Sequence, residues 1–283
     1  MSPGLTNAAL DVESWSGKGR DDENFPVGSV LVSRRLRPHV HAFYAFARNA
    51  DDIADSATLA ADDKLARLDA MQAVLDGTRT RGSRSGSGLR ASLAATGVTG
   101  QHAHDLLGAF RQDAVKSRYA DWGELLEYCR LSAAPVGRHV LDLHGERRDT
   151  WPASDALCAA LQVLNHLQDG AKDLAALDRC YLPQDLLAAA GSDVADLRAP
   201  AATPGLRRVL DQLLDRCDAL NQAAAELPAR VRDRRLRLET AVIAGLARRL
   251  ARRLRRGDPV ASRVKLTRGD AVASVSAALR FVA

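Results

Sequence analysis

Apolar residues recur every three to four positions along most of this chain, and no convincing strand alternation interrupts them. The pattern predicts helices over about 34–54, 61–75, 101–114, 122–144, 154–175, 206–226, 232–256 and 268–281. Between the second and third of these lies GTRTRGSRSGSG (Gly77 to Gly88), whose Gly, Ser and Arg content predicts a mobile loop. Shorter loops carry Trp151-Pro152, Leu182-Pro183, Ala199-Pro200 and Gly257-Asp258-Pro259. Residues 1–22 are polar and are expected to form a disordered N-terminal segment. No shift in composition marks a boundary after them, and no repeat is found. Residues 23–283 are therefore expected to form a single all-α domain with helices around a core or cavity.

Composition supports the helical reading. Apolar residues are 46% of the chain and aromatics only 4%. Ala, Leu and Arg dominate, and these lose little freedom in a helix. The net charge is +5, and 35 of the 40 basic residues are Arg. Arg grips phosphate bidentately, so a diphosphate, an anionic membrane or nucleic acid would suit this charge, as would plain solvated faces. No nucleic-acid-binding motif accompanies it. Cys129, Cys158, Cys180 and Cys217 form no CxxC pair and are expected to be buried thiols in a reducing compartment. The N-terminus lacks the apolar core of a secretory signal, and no run approaches about 18 apolar residues. The expectation is a cytoplasmic protein, soluble or peripheral on the inner face of the membrane.

Two helical faces carry candidate chemistry. In HAFYAFARNADDIADS (41–56), Tyr44, Arg48, Asp51 and Asp55 follow at steps of 4, 3 and 4 and share one face. Like charges one turn apart destabilise a helix by a few tenths of a kcal/mol, which a hard cation would offset. A solvated acidic turn fits the same spacing. Asp52 lies about 100° around the helix. In LQVLNHLQDGAKD (161–173), Gln162, Asn165, Asp169 and Asp173 follow at steps of 3, 4 and 4 among apolar neighbours. Two such faces, each ending in Asp-x3-Asp, form a constellation able to chelate magnesium with a diphosphate between them. In EYCRLSAAPVGRHVL (127–141), small residues and Pro135 weaken the helix. Two readings stay open there: a break that makes room for a substrate and turns Tyr128 inward, or close helix packing.

The blocks FYAFARNADDIAD (43–55), EYCRLSAAPVG (127–137), NHLQDGAKD (165–173) and RCYLP (179–183), in that order, resemble the squalene/phytoene synthases. The resemblance spans roughly residues 24–280 and implies the class I terpenoid synthase fold. ENFPVGSVLVSRRLRP (23–38), with Asn24-Phe25, and Gln168 before Asp169 are similar to the hydroxysqualene synthases of the bacterial hopanoid pathway. That branch implies conversion of presqualene diphosphate and water to hydroxysqualene and diphosphate, with a companion enzyme making the presqualene diphosphate. A condensing relative acting on farnesyl diphosphate, or an inactive assembly protein, is the alternative. By the resemblance, Asp51, Asp55, Asp169 and Asp173 hold Mg2+. Arg48, Gln162 and Asn165 flank the diphosphate or complete the metal shell, and Arg179 is a further diphosphate contact. Tyr44, Tyr128 and Tyr181 line the site, and Asn24 and Phe25 belong to its substrate side. Lys172 and His166 depart from the residues usual at their positions.

The remaining motifs narrow the field. There is no HExxH, GxSxG, P-loop or GxGxxG. His39, His41 and His144 are expected to be structural. ARRLARRLRRG (247–257) is a basic helix end, either a solvated face favoured by the helix dipole or a contact for anionic lipid.

Overall fold

The computed structural model describes residues 12–13 and 32–281. Among them every regular element is helical. Their contacts group into two compact units: residues 33–115 with Val12 and Glu13, and residues 116–281 with Val32. Asn24 and Phe25, and most of the segment 1–22, lie outside the described residues.

The first unit is four helices: α1 (Arg37–Ala54), α2 (Ala61–Leu75), α3 (Arg84–Thr96) and α4 (Gln101–Val115). Pro38 sits in the first turn of α1, where its missing N–H costs nothing. Val40, Phe43, Phe46, Ala50 and Ile53 then recur at helical spacing and are buried. Phe46, Ile53, Leu68, Met71, Leu89 and Leu107 are fully buried and form the centre of this core. That packing fixes the rotation of α1 and so sets where its polar face points. Lys64 donates to the Ala54 carbonyl at 2.9 Å, closing the C-terminal end of α1.

The expected loop over Gly77–Gly88 is corrected: α3 begins inside it, at Arg84. Ser83 caps the helix by accepting from the Gly86 N–H at 2.8 Å. The Glu13 carboxylate accepts from the Ser85 N–H at 3.0 Å and from the Ser83 and Ser85 hydroxyls, placing an anion at the helix start. Gly86 is needed for close packing, since a Cβ there would stand 3.2 Å from the Met71 carbonyl. A composition that looks mobile is thus ordered by a cap and a tertiary anion.

The second unit contains α5 (Trp122–Ser132), α6 (Ala134–Leu143), α7 (Trp151–Leu177), α8 (Gln184–Ala189), α9 (Pro204–Ala223), α10 (Leu227–Arg230), α11 (Arg234–Arg256) and α12 (Arg268–Ala278). The long α7 packs against α5, α6, α9 and α11. The expected helix 122–144 is two helices, broken at Ala133. Pro135 lies in the first turn of α6, where it starts a helix rather than interrupting one. Gly137 supports close packing: a Cβ there would meet Ser154 Oγ at 2.4 Å and Cys158 Sγ at 2.7 Å on α7.

The four cysteines are free thiols. Burial pushes Cys129 up to about 12 and Cys217 higher still. No described helix is long and apolar enough to cross a membrane.

Candidate active site

On α1 the structure brings Arg48 between two carboxylates. Its guanidinium lies 3.2 Å from Asp51 Oδ2 and donates to Asp52 Oδ1 at 2.7 Å. Asp52, whose side chain is only 6% exposed, is therefore committed to a local ion pair. Asp51 keeps 35% of its side-chain surface, yet protein packs densely around it. Burial is the main force raising its pKa well above the carboxylate range; Asp55, Asp113 and Asp52 add to this and Arg48 opposes it. Asp55 is the first residue beyond the helix, and its N–H reaches the Asp51 carbonyl at 2.8 Å. Tyr44 is half-buried on the same helix. Such an excess of carboxylates is relieved by a cation.

On α7, Gln162, Asn165, Asp169 and Asp173 are all half-buried, between fully buried Val163, Leu164 and Leu167. Asp169 is gripped by Arg263: Nε lies 2.7 Å from Oδ1 and the terminal nitrogen donates to Oδ2 at 2.9 Å. Next to it, Gln168 is 3% exposed and donates to the Val264 carbonyl at 2.5 Å. The segment before α12 is thus fastened across α7 at two consecutive positions. Arg263 lies 94 residues from its partner, and no local spacing points to it.

Beside this face is an aromatic cluster. Residues 180–185 donate backbone bonds to residues 117–120, Cys180 N–H to Ser117 O at 2.9 Å and Gln184 N–H to Tyr119 O at 2.9 Å. That pairing stacks Tyr119 on Tyr181 at 5.5 Å. Tyr128 joins from α5, 5.4 Å from the Tyr181 ring, with the two hydroxyls 3.4 Å apart. Arg179, 5% exposed, donates to the Tyr181 hydroxyl at 3.2 Å. Three expected site residues, Tyr128, Arg179 and Tyr181, therefore converge. His166 and Tyr119 join them unexpected. The chain has four tyrosines and three meet here, but Tyr119 sits in a loop without periodicity.

His166 stacks on Tyr181 with centroids 3.5 Å apart. Burial first, then the Arg179 charge, lowers its pKa to about 3. The ring is neutral at neutral pH. An unfolded histidine titrates near ~6.5, so the unfolded chain binds the proton more readily. Stability is full above that value and falls as pH drops from about 6.5 toward 3. His166→Leu is expected to flatten this part of the profile. Melting temperature against pH for the two proteins checks it; parallel curves would refute the assignment.

Among the described residues, no group of three or more His, Cys, Asp or Glu side chains forms a protein-only metal site. Two aspartates a turn apart nevertheless fit magnesium, which takes one or two carboxylates and completes its shell with phosphate oxygens and water.

Sequence and fold comparisons bear on this arrangement. The squalene/phytoene synthase family pattern matches residues 19–270. The chain is a member of that family. It is 49% identical to a hydroxysqualene synthase of Rhodopseudomonas palustris, over 90% of this chain and 87% of that one. It is 46% identical to a hydroxysqualene synthase of Sinorhizobium fredii, over 87% and 84%. Among solved structures, squalene synthase HpnC from Alicyclobacillus acidocaldarius superposes with a TM-score of 0.73 at 35% identity, covering 84% of this chain and 90% of that one. A dehydrosqualene synthase superposes at 0.78 with 20% identity, over 93% and 92%, which speaks to the fold alone. This member of the family is therefore an enzyme with the all-α class I terpenoid synthase fold.

Proposed function

We propose that this family member converts presqualene diphosphate and water to hydroxysqualene and diphosphate with the help of Mg2+. The carrying observation is the 49% identity to a protein named hydroxysqualene synthase across nearly the whole chain. The two Asp-x3-Asp faces on α1 and α7 support it. In this reading Asp51, Asp55, Asp169 and Asp173 hold the metal. When bound, magnesium supplies the positive charge that lets diphosphate depart. Arg48, Gln162, Asn165 and Arg179 bind and orient the diphosphate oxygens. Asn24 and Phe25 are assigned to substrate binding by the family resemblance alone. Tyr44, Tyr128 and Tyr181 line the hydrocarbon end, where ring faces stabilise positive charge and apolar walls limit access of water.

The chemistry balances without a redox partner. The carbon–oxygen bond to diphosphate breaks heterolytically, leaving a cyclopropylcarbinyl cation. The ring opens to an allylic cation, one water adds through its oxygen, and one proton is lost. No hydride donor is required. A companion enzyme that makes presqualene diphosphate supplies the substrate, and the protein acts in the cytoplasm on a substrate that partitions to the membrane.

The second reading is a condensing enzyme, favoured by the structural neighbour named a squalene synthase. Incubation with presqualene diphosphate and Mg2+, without NADPH, separates the two. The expected product is an alcohol one water heavier than the hydrocarbon cation minus its proton, and chelation of the metal stops its formation. Turnover of farnesyl but not presqualene diphosphate would reverse the assignment.

A further inference from the structure

Four arginines surround a cavity of about 310 Å³ between α11, α12 and the residues that follow α12. Arg248, Arg249 and Arg252 come from α11, and Arg280 and Phe281 follow α12. Ala241, Ala244 and Pro228 also line the cavity. Gly245 lets α12 approach closely, since a Cβ there would stand 3.1 Å from Ser274. Ser274, 1% exposed, lines the same cavity, and its hydroxyl has no hydrogen-bond partner among the described residues.

The charges are poorly balanced. Other arginines of α11 are paired: Arg253 with Asp270 at 2.5 Å, and Arg255 with Asp215 and Asp218 at 2.7 Å each. Arg249 is 4.0 Å from Asp270. Among the described residues, no carboxylate is within ion-pair distance of Arg248, Arg252 or Arg280. Burial lowers the pKa of Arg248, and Arg280, Arg252 and Arg249 lower it further. Arg248, Arg252 and Arg280, with no carboxylate at ion-pair distance among the described residues, line a hollow with a spare hydroxyl, and their fork geometry suits phosphate.

α12 and the turn that follows it carry an apolar outer face. Val272, Val275 and Leu279 follow at steps of 3 and 4 and are 66%, 45% and 52% exposed. They are three of the five large hydrophobic side chains exposed among the described residues. Ser274 turns inward to the cavity while these three stay at the surface. A cationic pocket beside an exposed aliphatic stripe offers the two contacts an anionic lipid surface takes, charge for its phosphates and apolar side chains for its acyl boundary.

We propose that α12 docks on a bilayer containing anionic phospholipid. The arginine cavity takes the phosphate headgroup, and Val272, Val275 and Leu279 enter the acyl boundary. Charge selects this occupant. A second copy placed symmetrically would set four arginines against four arginines, and a nucleic acid would leave the aliphatic stripe uncovered. The proposal stands whichever prenyl diphosphate the enzyme uses.

Flotation of the full-length protein with phosphatidylcholine vesicles, with and without phosphatidylglycerol, tests it. The wild type is expected to float with the anionic vesicles only. Arg248→Glu with Arg252→Glu lowers the bound fraction at least roughly tenfold. Arg235→Glu with Arg256→Glu makes the same charge change outside the cavity and stays near wild type. Val272→Ser, Val275→Ser and Leu279→Ser together also reduce binding. Each variant is checked for unchanged helicity and for turnover of detergent-dispersed substrate. Equal losses in the two arginine pairs would reduce the effect to diffuse charge and overturn the cavity. So would equal flotation with neutral vesicles, or no flotation while inorganic phosphate alone stabilises the protein.

Discussion

Asp51→Asn and Asp169→Asn are each expected to cut diphosphate release at least about a hundredfold while leaving the helical fold intact. The two substitutions separate function from structure in different ways. Asp51 is a carboxylate whose charge is disfavoured by burial and by Asp55, so asparagine removes repulsion. The variant should be as stable as wild type or more so. Asp169 loses its two-pronged bond to Arg263. Arg263 is 37% exposed and Asp169 20%, so solvent screens the pair and the loss is held to about 1 kcal/mol. Diphosphate release under saturating Mg2+, read beside thermal melts, checks both. Wild-type turnover in either variant would remove that aspartate from the proposed metal site.

Phe46→Ala carries the largest expected stability change. Phe46 is fully buried on α1 among Ile53, Leu68, Met71 and Leu107. Emptying a phenylalanine-sized space in such a core costs about 3–5 kcal/mol. The same side chain fixes the rotation of the helix that carries Arg48, Asp51 and Asp55, so activity should fall with stability. Denaturant midpoints at constant slope measure the first effect, and turnover below the melting temperature measures the second. A cost under about 1 kcal/mol would mean that the core closes over the gap.

The faces of α1 and α7 were legible because a helix repeats every 3.6 residues and their polar residues keep to that period. The same arithmetic sets Asp52 about 100° around the helix from Asp51, yet Arg48 reaches both, Asp51 at 3.2 Å and Asp52 at 2.7 Å. The run Gly77–Gly88 misled because its glycines and serines lack helical propensity, while the forces that order it are a cap at Ser83 and a carboxylate from Glu13, about 70 residues away. Around Pro135 a break and close packing stay open in the sequence, which does not say whether a proline interrupts one helix or begins the next. Arg263 on Asp169 and Tyr119 on Tyr181 depend on the tertiary fold and leave no periodic trace. His166 departs from the residue usual at its position; its neutrality comes from burial and the Arg179 charge.

The buried thiols give the protein a silent reporter. A thiol reacts with alkylating reagents through its thiolate. With Cys129 pushed up to about 12 and Cys217 higher, the folded chain offers almost none at neutral pH. Cys129 lies on α5, one residue from Tyr128, and Cys217 lies on α9. Modification at these two positions therefore counts openings of the second unit, and its rate clocks how long the aromatic cluster stays assembled.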